Sequence, residues 1–329
     1  MKHLNRRITL STLLASLLGV VATFAAAPAS AQEGSPAKII VGFPAGGSFD
    51  AIARLLADKL KTELNRPVVV DNKTGAGGRI AVDALKASPA DGSVMMLGPD
   101  ALSSFYPYTY KKLNYDLKKD LVPVGTVAEF AFGFAVGTAP KVNTWAEYVA
   151  WAKKNPKDAN YGIPALGAPH HFYGILLGQA MDVPMQNVPF QGSAPIMLAL
   201  MGGQISSSID VATSQVEAHR AGKVKILAVT SDSRIPQAPD VPTFAELGYP
   251  NVSGMGFNAL YVPANTPAAT VATLNQALTK VMALPDVKEK LNVMGFLPVG
   301  KSTQELIDRQ AASAKKWEPI IKASGFTAD

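Results

Sequence analysis

The chain has 329 residues, 48% of them hydrophobic and 17% charged, with a formal net charge of +6 and no cysteine. That length suffices for one large domain or two ordinary ones, each with its own core. Without cysteine the chain forms no disulfide, thiolate nucleophile, Cys-containing metal site or lipid-modified cysteine.

At the amino end, Lys2, Arg6 and Arg7 precede an apolar run from Ile8 to Phe24, which closes on Ala29-Ser30-Ala31. A basic head, a short apolar run and an A-x-A site make up a secretory signal peptide, so residues 1–31 are expected to be removed and Gln32 to begin the mature chain. The run is short for a transmembrane helix, which needs about 20 apolar residues. Ile8-Thr9-Leu10 after Arg6-Arg7 is a weak match to the twin-arginine route, so ordinary secretion is expected. Loss of the three basic leader residues lowers the charge from +6 to about +3. Lys111-Lys112, Lys118-Lys119 and Lys153-Lys154 are scattered pairs and not a stripe, so no nucleic-acid partner is expected.

Short apolar strands then alternate with amphipathic helices. Ile39 to Phe43 reads as a buried strand, and Ser48 as the cap of a helix from Phe49 to Leu64 with Ile52, Leu55, Leu56, Leu60 and Leu64 on one face. Val68 to Val70 is a strand, Asn72 to Gly78 a glycine-rich loop, Arg79 to Ala87 a helix and Ser93 to Leu97 a strand. Phe132 to Val136 is the next strand. Thr144 and Glu147 form a capping box for a helix to Lys154. A strand at Tyr161 leads into a helix from Pro169. Ile205 to Asp210, Val224 to Val229 and Phe257 to Val262 are strands. Thr243 with Glu246 and Ser302 with Glu305 read as further capping boxes, and Thr266 as the cap of a helix to Ala283. Such alternation predicts an α/β fold with mostly parallel sheets.

In open α/β sheets ligands bind beyond the carboxyl ends of strands. The first such loop holds Phe43, Ala45, Gly46, Gly47, Ser48 and Asp50. Its glycines let a ligand approach backbone amides, and the following helix start favours an anion without a cationic side chain. Asp50 is either a general base or a carboxylate favoured by the first helical turn. The second loop runs from Ile163 through Gly167 and Ala168 to His170 and His171. Adjacent histidines on a helix point about 100° apart and make a poor chelating pair, even with His219 as a third. The third loop carries Gln191 and Gly192 and also opens a helix. No G-x-S-x-G and no H-E-x-x-H occurs.

Phe43-Pro44-Ala45-Gly46-Gly47-Ser48-Phe49-Asp50 with Ala53-Arg54 resembles the F-P-P-G-G-x-x-D-x-x-A-R signature of the Bug-type receptors, the extracytoplasmic binding proteins of tripartite tricarboxylate transporters. Pro67 to Gly78 resembles the P-V-V-V-E-N-R-P-G-A-G-G segment of that family. Tyr115-Asp116, Asp120 to Val124, Val188 to Gly192, Leu227 to Thr230, Arg234 and Val241 to Gly248 continue the likeness over nearly all of the mature chain. The resemblance implies a two-lobed periplasmic-binding-protein fold of type II, the Venus flytrap. Residues 32–129 plus 254–329 would form one lobe and 130–253 the other. It implies a monomeric periplasmic receptor without cofactor or catalysis, whose partners are a small carboxylate and membrane-embedded transporter subunits. A sensory receptor feeding a signalling protein and a periplasmic hydrolase or isomerase are the rival functions. Ser103, Asp210 and Phe257 join the loop residues as implied ligand contacts.

Where the family often has Ser, Gly and Ser before the second-lobe helix, this chain has Ile163, Ala165 and Ala168; Phe190, Gln191 and Phe257 replace Tyr, Lys and Trp. The pocket is therefore expected to be more apolar than usual, preferring a monocarboxylate with an apolar or aromatic body to citrate. The far end of the ligand would reach water, His171 or Asp210.

Overall fold

The computed structural model describes residues 35–328. The signal-peptide segment and the Ala31–Gln32 cleavage site lie outside the described residues.

The strands are β1 (Ala37–Val41), β2 (Val68–Asn72), β3 (Val94–Pro99), β4 (Leu121–Val136), β5 (Asn160–Ile163), β6 (Gln186–Pro189), β7 (Ser207–Val211), β8 (Lys225–Val229), β9 (Met255–Pro263) and β10 (Leu297–Pro298). The longer helices are α1 (Ser48–Glu63), α2 (Arg79–Lys86), α3 (Trp145–Lys154), α4 (Pro169–Met181), α5 (Ser193–Met201), α6 (Thr213–Arg220), α7 (Ala268–Ala283), α8 (Pro285–Val293) and α9 (Thr303–Ser324). Three one-turn helices lie between β3 and β4.

The strand order is β2-β1-β3-β9-β4-β7-β5-β6, with β8 and β10 also paired to β4. Parallel pairing holds on the flanks, where β1 runs with β2 and β3, and β5 with β6 and β7. The centre is antiparallel: β9 pairs with β3 and β4, and β4 with β7, β8 and β10. The expectation of mostly parallel strands therefore describes the flanks and not the middle. The reason is β4. Its 16 residues, at about 3.3 Å each, span both groups of strands. It pairs with β9 as far as Ala131 and with β7 from Phe132 onward.

α1 buries Ile52, Leu55, Leu56 and Leu60 against the β1 side, as the spacing predicts. Each such side chain contributes roughly 1.5–3 kcal/mol of burial. The Thr144–Glu147 and Ser302–Glu305 capping boxes start α3 and α9. The Thr243–Glu246 box also forms, with reciprocal bonds of 2.7 and 3.1 Å, but it closes a turn and not a helix. Gly248, at φ +88°, and Pro250 follow it and stop propagation. Two caps move: α1 starts after Gly47, with Ser48 as its first residue, and α7 after Pro267, while Thr266 bonds back to the Pro263 carbonyl.

Candidate functional site

The carboxyl ends of β1, β2, β3, β5, β6 and β7 and the loops after them meet at one cleft of about 750 Å³. Phe130 and Phe132, at the crossing of β4, line it as well. Both the position and the volume suit a small-molecule site.

Three helices begin at this cleft. The amino-cap residues of α1, α4 and α5 are Gly47, Ala168 and Gly192, and none offers a side chain to the first turn. First-turn amides have no partner inside their own helix, and the helix dipole adds partial positive charge there. Among the described residues no Lys or Arg lines the cleft. The Arg79 guanidinium lies 3.9 Å from the centre of the Tyr110 ring, which itself lines the cleft. The wall is otherwise strongly aromatic: seven Phe and Tyr side chains line it, and the Phe43 and Phe49 rings stack at 4.4 Å.

The loop between β1 and α1 is shaped by Asp50. Its carboxylate accepts from the Gly46 amide at 3.0 Å, the Arg54 Nε at 2.8 Å and the Asn72 amide group at 3.1 Å. Asn72 also donates to the Phe43 carbonyl, so the clasp ties the first loop to the end of β2. The bonds from Arg54 and Gly46 hold the Asp50 carboxyl down at about 2. Gly46 φ is +82°, a conformation that favours glycine. The Gly46 amide is given to Asp50 and the Gly47 amide is directed at the Pro44 carbonyl 3.3 Å away, and the first-turn amides of Ser48 and Phe49 follow them at the helix start.

Across the cleft, the rings of His170 and Phe132 meet edge to face at 4.9 Å, and His170 Nε2 stands 3.8 Å from Asp210 Oδ1. Asp210 is buried near the end of β7 and accepts from the Val211 amide at 2.7 Å. Its Oδ2 and both ring nitrogens of His170 are buried without a hydrogen-bond partner. Burial pushes the Asp210 carboxyl up to about 6, against the pull of the Ser193 hydroxyl and the Val211 amide, and pushes His170 down to about 3. Asp100, at the end of β3, faces the same cleft, and burial raises its carboxyl to about 7.

Of the residues singled out in the sequence, Phe43, Ser48, Ala168, Gln191, Gly192 and Asp210 line the cleft. Ala45, Gly46 and Gly47 sit in the same loop outside its lining, and Asp50 stands behind them as the clasp. Ser103 is buried and donates to the Asp100 carbonyl. Ile163 is fully buried, so a hydroxyl placed there would enter the core and not the cleft. Gly167, at φ +70°, packs close to Phe326. His171 turns away from Asp210: its ring lies 4.5 Å from Phe326 and its Nε2 3.2 Å from the Asn187 side-chain amide. Phe257 lines a separate cavity of about 240 Å³ that shares Asp100, Phe132 and Pro169 with the cleft. His219 is elsewhere, accepting from the Ile226 amide and facing Asp240. Among the described residues no group of three or more His, Cys, Asp or Glu is placed to hold a metal.

His170 lies in the second loop as read from the sequence and does line the cleft, whereas Asp100, Tyr106, Tyr110, Phe130 and Phe132 are cleft residues that the loop-by-loop reading does not reach. Tyr106 comes from a one-turn helix after β3, Tyr110 directly follows that helix, and the two phenylalanines come from β4, so none lies in a strand-to-helix loop carrying a glycine signal.

Comparison with known proteins agrees with this architecture. The family described as tripartite tricarboxylate transporter family receptor (TctC) matches residues 52–326. Protein BugT of Bordetella pertussis is 30% identical over 95% of this chain and 98% of its own. A UPF0065 protein of Pseudomonas sp. is 32% identical over 87% of this chain and 85% of its own. Among solved structures, an R. palustris protein with adipate superposes with a TM-score of 0.82 at 28% identity, covering 89% of this chain and 99% of that one. MatC from Rhodopseudomonas palustris with bound malate gives 0.78 at 27%, over 88% and 99%. The periplasmic binding protein BugD gives 0.78 at 29%, over 89% and 98%. The fold is thus that of the two-lobed periplasmic binding proteins, and the chain belongs to the tripartite tricarboxylate transporter family receptors.

Proposed function

We propose that this protein is a periplasmic, monomeric solute-binding receptor that captures a small carboxylate in the cleft, catalyses nothing and delivers its ligand to membrane-embedded transporter subunits. One observation carries the reading. Three helices open onto a single cleft without side-chain caps, and among the described residues no Lys or Arg lines it. Backbone amides at helix starts hold an anion without a cationic side chain. The malate and adipate in the two R. palustris neighbours are carboxylates, in support of the same class. Among the described residues no helix is long and apolar enough to cross a membrane.

The two strand groups would act as lobes, 32–129 plus 254–329 and 130–253, that close over the ligand. Support comes from β4, which changes partners between Ala131 and Phe132, and from β9, which begins at Met255. The hinge would then be the partner change within β4 and the residues that lead into β9, since hinges are a few positions at element ends.

A hydrolase reading draws on the unpartnered ring nitrogens of His170 and the unpartnered Asp210 Oδ2 in the cleft. Against it, among the described residues no serine hydroxyl bonds to either ring nitrogen of His170, the base that a serine nucleophile needs. Small-angle scattering tests the receptor reading. Saturation with a carboxylate of measured affinity should compact the protein and leave the ligand chemically unchanged on prolonged incubation. Identical curves with and without ligand, or a product, would contradict it.

A further inference from the structure

The aromatic cleft holds polar atoms that its own fold does not satisfy. Asp210 is 1% exposed, its Oδ2 has no partner, and the two ring nitrogens of His170 beside it have none either. Their separation of 3.8 Å is too long for a hydrogen bond between them. A buried polar atom left unpaired costs roughly 1–3 kcal/mol. A water, or a polar group of a ligand that enters the cleft, would satisfy them.

The chemistry of the group that enters follows from what surrounds them. A carboxylate accepts only, and a neutral imidazole has one donor and one acceptor. Asp100 faces the cleft from the β3 side. A second anionic group on the ligand would meet the Asp210 carboxylate with no Lys or Arg among the described cleft-lining residues to offset it. A donor would meet an acceptor with a free lone pair. The rest of the wall offers aromatic faces, with Phe132 against His170 and Phe190 in the loop before α5.

We propose that Asp210 and His170 are the specificity-determining residues of the cleft, selecting aromatic monocarboxylates that carry an N–H or O–H donor remote from the carboxylate. This rests on the carboxylate reading above, with the anion at the uncapped start of α1 and the donor at the end of β7. Burial raises the Asp210 carboxyl to about 6 and lowers His170 to about 3, so near neutral pH the aspartate is largely an acceptor and the imidazole uncharged.

Calorimetry with benzoate, 4-aminobenzoate, 4-hydroxybenzoate and terephthalate tests the idea on the intact mature protein. The donor-bearing probes should bind at least about tenfold more tightly than benzoate, and terephthalate more weakly than benzoate. Asp210→Asn presents a donor in place of Oδ2, so the donor advantage should fall below about threefold and terephthalate should gain. The readout is the ratio of donor-bearing probe to benzoate within each protein, so a general change in affinity does not affect it. His170→Phe keeps a ring beside Phe132 and should reduce the donor advantage too, which covers the case of an Asp210 variant that does not fold. Benzoate binding without any donor preference, or a preference that survives in both folded variants, would overturn the proposal and leave the carboxylate reading standing. Failure of benzoate and every other probe to bind would overturn the proposal, and failure of aliphatic carboxylates as well would overturn the carboxylate reading with it.

Discussion

Thr230 and Gly254 are joined twice: the Gly254 amide donates to the Thr230 carbonyl, and Thr230 Oγ1 donates to the Gly254 carbonyl, each at 2.7 Å. The same hydroxyl accepts from the Phe132 amide at 3.0 Å, and the Thr230 amide donates to the Phe132 carbonyl. One buried threonine thus fastens β4, where it changes partners, to the segment that enters β9. Gly254 sits at φ +136°, which L side chains rarely adopt. Thr230→Val keeps the shape and removes the hydroxyl, leaving the Phe132 amide and one lone pair of Gly254 without their partner. We expect a loss of roughly 1–3 kcal/mol, read as a lower urea midpoint at constant m. An unchanged midpoint would show that water or a shifted strand replaces the hydroxyl.

The clasp around Asp50 makes stability depend on pH. Its folded carboxyl is held at about 2, below the ordinary 3.8, first by the Arg54 bond and then by the Gly46 amide. A depressed carboxyl favours the folded state when ionised, so its contribution is complete above about pH 4 and is lost as pH falls through about 2. Asp50→Asn should therefore unfold at lower urea than wild type near neutral pH, and the gap should shrink as the solution approaches pH 2. A gap that stays constant with pH would mean that the amide cannot fit the same three donors for steric reasons alone.

At the anchor, one amide can be removed without breaking the helix. Ser48 is the first residue of α1, where proline is well accepted, and Gly47 before it is extended at φ −80° and ψ 172°, as a residue preceding proline must be. Ser48→Pro deletes the amide N–H, and Ser48→Ala deletes only the hydroxyl. Hydrogen bonds to charged groups contribute about 1.5–3 kcal/mol, so the proline variant should weaken carboxylate binding roughly ten- to hundredfold beyond the alanine variant, with an unchanged circular dichroism spectrum. Equal binding by the two variants would place the anchor at another helix start.

The elements with a local signal were legible in the sequence. The α1 face reads from apolar spacing, and α3 and α9 from capping boxes whose partners lie three residues apart. The first half of β4 was not, because Pro123 and Gly125 read as strand breakers, whereas here they sit at irregularities in the pairing with β9. The cleft divides in the same way. Its loops announce themselves by glycine and by position after a strand. Which of two adjacent histidines faces it depends on how α4 is rotated against β7, a property of packing across the fold. His170 takes the side facing Asp210, and His171 the side facing Phe326. Ile163 shows the converse: it lies at a position the family resemblance gives to the pocket, yet its side chain is fully buried.

The central claim, that the cleft holds a small carboxylate, is tested most directly by a thermal-shift screen of the mature protein over carboxylates and their neutral amides. A ligand at 100 times its Kd adds about 2.7 kcal/mol to stability, several degrees for a protein of this size. The account predicts that at least one carboxylate with an aromatic body raises the midpoint by that amount, more than citrate does, and that its primary amide raises it little or not at all. A screen in which no carboxylate shifts the midpoint, or in which the amides shift it as far as the acids, would contradict it.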